Sequence, residues 1–123
     1  MEQFILESMN DEILHEAALL YDIQFETIKK IGGFENFVFE YHKNDNDFIL
    51  RFVHSGHRSY EQVLAELEFI DYLAKNSAKV STVMHSHFNN LVEKVELDKN
   101  VYFTICVFEK AKGRKVEKSV LAL

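Results

Sequence analysis

Arg51 and Glu66 are the residues whose chemistry disagrees most with their neighbours. Arg51 interrupts the apolar run Phe48-Ile49-Leu50-Arg51-Phe52-Val53, where a guanidinium needs either a counter-charge or a route to water. Glu66 belongs to a stretch, Ser59 to Asn76, that reads as a helix. At about 100° per residue it falls between Ile70 and Leu73, inside the apolar arc, whereas Glu61, Glu68 and Asp71 lie outside it. A carboxylate on a buried face also needs a partner. An ion pair between the two satisfies both, and a planar guanidinium can meet both carboxylate oxygens. The other reading leaves Glu66 at the helix edge and lets Arg51 reach water along its stem.

A second feature is the turn Ile31-Gly32-Gly33-Phe34-Glu35-Asn36. Its glycines let backbone N–H groups approach a ligand such as a phosphate where a side chain would block it. A Gly-Gly pair between two strands is also an ordinary hairpin connection, and no Gly-Lys-Ser or Gly-Lys-Thr follows to make a P-loop. The histidine pairs His54/His57 and His85/His87 invite a metal reading, because alternate residues of a strand share one face and zinc accepts imidazole. No third ligand is identifiable, so no metal site is assigned. Cys106, the single cysteine, lies in the most apolar run and reads as a core thiol without a catalytic partner. One cysteine also excludes an internal disulfide, and the simplest setting is a reducing one, the cytoplasm. Asp45, Asp47 and Asp98 read as turn residues.

The elements that must position these residues follow from periodicity. The 123 residues carry 14 Lys and Arg against 20 Asp and Glu, a net charge of −6, with 47% apolar residues. This is one ordinary domain. Without a basic run, neither a nucleic acid nor an anionic membrane surface is expected as the main partner. No apolar run approaches the roughly 20 residues of a membrane-spanning helix. Proline is absent and there are four glycines, so the chain is nearly all regular structure. An amphipathic helix is expected over roughly 8 to 21, with Met9, Ile13, Ala17 and Leu20 at helical spacing. Strand-like runs follow at 24–31, 36–43 and 47–54, then a helix capped by Ser59 and Gln62, then STVMHSHF, a hairpin turn at Asn89-Asn90, LVEKVEL and VYFTICVF. The fold class is α+β: an antiparallel sheet of five or six strands, one long helix after strand three, and an N-terminal helix. Strands two and three are apolar on both faces, so a helix is assigned to each face.

A Gly turn between strands one and two, a cation in strand three and a carboxylate on the next helix follow the order of parts in a protein-kinase-like small lobe. The segments IGGFENFVFEY, FILRF, HRSYEQVLAELEFIDYLA, VSTVMHSHFNNLVE and VFEKAKG together resemble the N-terminal, nucleotide-binding lobe of the aminoglycoside phosphotransferase and choline kinase family. The resemblance covers residues 24–113, with 1–22 as the N-terminal helix and 114–123 as a hinge or tail stub of a C-terminal lobe outside this chain. It implies that Gly32, Gly33 and Asn36 cover the phosphates of ATP bound with Mg²⁺. By the same resemblance Arg51 contacts phosphate oxygens and is held by Glu66, and Val38 and Ile49 line the adenine. The backbone of Phe108, Glu109, Lys110 and Ala111 would then form the hinge that bonds the adenine. An Arg stands where protein kinases use Lys, a departure that bidentate pairing accommodates.

The family's catalytic base and metal-binding Asp lie in its C-terminal lobe, so no catalytic residue is assigned here. The chain alone is not expected to be competent for phosphoryl transfer. The reading from another class is a non-catalytic interaction or dimerisation module built on the same fold. A homodimer is expected on the premise that apolar surface around Val38, Ile49, Val107 and Phe108, with the stub Val120 to Leu123, lies uncovered.

Overall fold

In a computed structural model of the chain, residues 9–32, 36–76 and 82–110 are described. Helix α1 spans Asp11–Leu20, and its cap is Asn10, whose side chain accepts from the Ile13 N–H at 3.0 Å. It therefore starts later than the apolar spacing alone indicates, since a cap that satisfies an orphan donor decides the first turn. Helix α2 spans Tyr60–Lys75. Ser59 and Gln62 close a reciprocal capping box there, as the sequence pattern requires.

Six strands form one antiparallel sheet: β1 Lys29–Gly32, β2 Phe37–Lys43, β3 Asn46–His54, β4 Thr82–Met84, β5 Glu93–Asp98 and β6 Val101–Lys110. The architecture is the α+β arrangement expected. The spatial order is β1-β2-β3-β6-β4, with β5 also on β6. Two boundaries differ from the sequence reading. Residues Phe25–Thr27 form a 3₁₀ turn rather than the start of β1, because Phe25 stacks on His15 of α1 with ring centroids 3.6 Å apart. The expected hairpin at Asn89-Asn90 is a turn, with Asn89 at φ 63°, but β4 and β5 do not pair with each other. Met84 faces Val107 and Glu93 faces Ile105, so the two short strands lie end to end along one side of the ten-residue β6. Ser86 Oγ holds the intervening loop by accepting from the N–H groups of Phe88 and Asn90, both at 3.2 Å.

Both faces of the sheet are covered. Ile13, Ala17 and Ala18 of α1, with Tyr21 just after it, pack against Phe37, Phe39, Phe52, Phe103 and Ile105. Val63, Leu67 and Ile70 of α2 pack against Val38, Ile49, Val53, Cys106 and Phe108 on the other face. This corrects the expectation of an uncovered apolar patch. Val38 and Ile49 are 1% exposed, and Val107 and Phe108 are 0% exposed. Val107 and Phe108, adjacent in a strand, point to opposite faces and belong to different halves of the core. The premise for the homodimer is thereby removed for these four residues, while Val120 to Leu123 lie outside the described residues.

Candidate functional site

The register of the sheet aligns the residues singled out in sequence. Gly32 faces Val38, Val38 faces Arg51, and Arg51 faces Cys106, which makes one row across four strands. Two residues along β3, Ile49 faces Phe108 and Phe108 faces Val83, which makes a parallel row. Arg51, Val38, Ile49 and Phe108 share the α2 face, so the expected cation and both expected adenine-side residues do come together.

Arg51 and Glu66 form the ion pair. Arg51 Nη2 donates to Glu66 Oε1 at 3.0 Å and Nη1 to Oε2 at 3.5 Å, with side-chain exposures of 0% and 9%. The Phe108 ring lies 5.6 Å from Arg51 Cζ, within cation–π range. Burial works to lower the Arg51 pKa while the adjacent Glu66 carboxylate and its hydrogen bonds raise it, and the group stays a guanidinium. Burial pushes the Cys106 thiol up, more than the adjacent Arg51 pulls it down, which keeps the sulfur protonated and matches its assignment as an inert core thiol.

Gly32 ends β1 at a bulge with φ 153°, a conformation L side chains rarely adopt. Among the described residues, chain neighbours aside, nothing lies within 4 Å of where its Cβ would stand. The glycine is thus needed for backbone conformation. Asn36 is 2% exposed, whereas Gly33 and Ala111 lie outside the described residues.

Three comparisons bear on this arrangement. No protein-family model matches the chain. The amicoumacin kinase of Bacillus subtilis (strain 168) is 30% identical over 109 residues, which are 89% of this chain and 32% of that protein. A structure of the amicoumacin kinase hAmiN in complex with AMP-PNP, Ca²⁺ and Ami superposes with a TM-score of 0.86 at 30% identity over 97% of this chain and 36% of that one. This chain has the N-terminal lobe of the aminoglycoside phosphotransferase-like kinase family. A microcompartment-associated aminopropanol kinase shares the fold, with a TM-score of 0.70 at 20% identity. The chain spans about a third of the length of these relatives.

In this kinase-like lobe the expected hinge is still strand. Phe108 and Glu109 have ladder partners in both β3 and β4, and Lys110 has one in β3. The Lys110 ammonium bonds Glu40 Oε1 at 3.0 Å. The histidine pairs do not share a strand face: His54 ends β3 and is buried, His57 lies in the following turn, and His85 and His87 lie in the loop after β4. His87 Nδ1 is instead 3.0 Å from Asp22 Oδ2. Among the described residues no group of three or more His, Cys, Asp and Glu side chains could hold a metal ion, and no helix is long and apolar enough to cross a membrane.

Sequence reasoning missed Arg58. Its Nη1 lies 3.5 Å from Glu66 Oε1, the oxygen Arg51 also uses. It stands outside the helix, just before the capping Ser59 and eight residues from Glu66, a spacing with no periodic signature. Only the path of the turn after β3 brings it alongside.

Proposed function

We propose that this lobe binds ATP together with a divalent cation, as the nucleotide-binding part of a phosphotransferase that moves the γ-phosphoryl group to a hydroxyl of a small molecule. The observation that carries the reading is the Arg51–Glu66 pair, with Arg51 0% exposed and in one cross-strand row with Gly32. A buried ion pair is poor value as a stability device, since apolar residues of similar volume often serve as well or better. Its presence among Val38, Ile49, Val63 and Phe108 points to a task for the guanidinium, and a phosphate group is a ligand that it recognises in a bidentate fashion.

In this reading Arg51 contacts phosphate oxygens, with Glu66 fixing its orientation. The turn at Gly32, Gly33 and Asn36 covers the phosphates with backbone N–H groups. Val38 and Ile49 face the adenine, and backbone from Phe108 through Ala111 bonds its edge. The cation, Mg²⁺ in the expected case, neutralises charge on the phosphates when bound. Proton removal from the acceptor and direct ligation of the metal belong to a catalytic lobe, so this chain contributes binding and positioning. Val38 and Ile49 are 1% exposed, so an adenine ring reaches them only by displacing what covers them, and weak binding is expected.

The test is an NMR titration of the 123-residue chain with Mg-ATP. Amide shifts centred on Gly32, Val38, Ile49 and Arg51 are expected. Shifts centred on His85 and His87, or no shifts at millimolar nucleotide, would refute the assignment.

A further inference from the structure

Glu66 Oε1 accepts from two guanidinium groups, Arg51 Nη2 at 3.0 Å and Arg58 Nη1 at 3.5 Å. The two arginines share an oxygen but not an environment. The Arg51 side chain is 0% exposed and that of Arg58 is 31% exposed. Arg58 is anchored through its backbone, whose N–H donates to the His54 carbonyl at 3.2 Å. Its guanidinium is held only by the long contact to an oxygen already engaged at shorter range, and at 3.5 Å that bond is near the limit of useful geometry. Its other N–H donors have no partner among the described residues. Two like charges meeting at one carboxylate oxygen also repel each other. An arriving anion would therefore be bound by the group that is less firmly held and more open to water.

We propose that Arg58 is a second phosphate-binding residue: it rests on Glu66 and turns onto the distal phosphates of a bound nucleotide, leaving Glu66 to Arg51. The move is a side-chain rotation, since the backbone hydrogen bond to His54 keeps its base in place. It leaves the capping box that starts α2 intact, because Ser59 and Gln62 satisfy each other without Arg58. The five-donor fork of arginine suits non-bridging phosphate oxygens, and its weak hydration lowers the cost of leaving water. The inference rests on the nucleotide-binding reading above and adds a residue to it.

The experiment is calorimetric titration of the 123-residue chain with AMP, ADP and ATP, each with Mg²⁺, for the unmodified protein, Arg58→Gln, Arg58→Lys and Arg51→Met. If Arg58 binds distal phosphates, Arg58→Gln leaves AMP affinity unchanged within a factor of about two and weakens ADP and ATP about tenfold, equivalent to about 1.4 kcal/mol. Arg58→Lys recovers part of the loss, because a point charge replaces a fork. An effect of Arg58→Gln that is equal for all three nucleotides, or nil, makes Arg58 a structural neighbour of Glu66 only and overturns the inference. Should Arg58→Gln fail to fold, as judged by circular dichroism, the Arg58→Lys series decides by the same dependence on phosphate number. Failure of the unmodified protein to bind any nucleotide overturns the underlying reading and this inference with it. ATP binding that is lost in Arg51→Met but unchanged in Arg58→Gln overturns this inference alone.

Discussion

Removing Glu66 should cost the fold more than removing Arg51, although the two are partners. The Arg51 side chain is 0% exposed and keeps its charge when Glu66 becomes Gln, since a guanidinium is not deprotonated in a protein. Breaking a buried pair from one side costs about 3 to 5 kcal/mol, most of it the penalty of a buried charge that has lost its counter-charge. Glu66→Gln should fall in that range. Arg51→Met removes the buried charge itself and leaves Glu66, 9% exposed, with Arg58 at 3.5 Å. Its cost should be nearer the about 1 to 3 kcal/mol of a partly satisfied polar group. In the double variant no buried charge remains, so the loss should be smaller than the two single losses added, with a coupling of about 2 kcal/mol for residues in direct contact. The assay is urea denaturation at pH 7 followed by far-ultraviolet circular dichroism, the natural choice for a chain without tryptophan. Additive losses would mean that the two groups do not depend on each other. A larger loss for Arg51→Met than for Glu66→Gln would refute the reasoning from desolvation.

Two further outcomes follow from the same geometry. Gly32→Ala should destabilise the fold by about 1 to 3 kcal/mol, the range for a non-glycine residue forced into a disallowed backbone region. The cause is φ 153° and not crowding, so Gly32→Ser in the same denaturation assay should cost about as much, and a far larger loss for Ser would point to a clash instead. Burial raises the Tyr41 pKa, so its folded-state hydroxyl stays neutral well above the unfolded value of about 10. The stability this contributes is present in full below the unfolded value and is lost as pH rises toward the folded one, at up to about 1.4 kcal/mol per pH unit. Tyr41→Phe should therefore flatten the fall in stability between pH 10 and 12, and an unchanged slope in urea melts across that interval would refute it.

The pair Arg51–Glu66 was legible because its cause is local and strong. A guanidinium in an apolar strand and a carboxylate on an apolar helix face each carry a desolvation cost that leaves few arrangements. The capping box at Ser59 and Gln62 was legible for the same kind of reason, since two side chains three positions apart and two N–H groups suffice to define it. The amphipathic character of α1 and the alternation in β2 and β3 likewise follow from periodicity, as does the need to cover the sheet on both faces. The family resemblance rested on the order and spacing of these same parts.

Sequence by itself thus determined most of the elements, the buried ion pair and the class of fold, because each follows from the residue pattern of a single strand, turn or helix face. Tertiary structure alone decided how the last three strands share edges. The turn at Asn89 forms as its residues demand, yet β4 and β5 both pair with β6, whose ten residues offer more edge than either short strand can fill. It also decided that Val38, Ile49, Val107 and Phe108 are covered, which depends on where two helices dock rather than on any property of those strands. Arg58 reaches Glu66 only because the turn after β3 carries it back along the start of α2. A contact between a residue outside a helix and one within it has no period for a sequence pattern to display, and the path of the chain in space is what creates it.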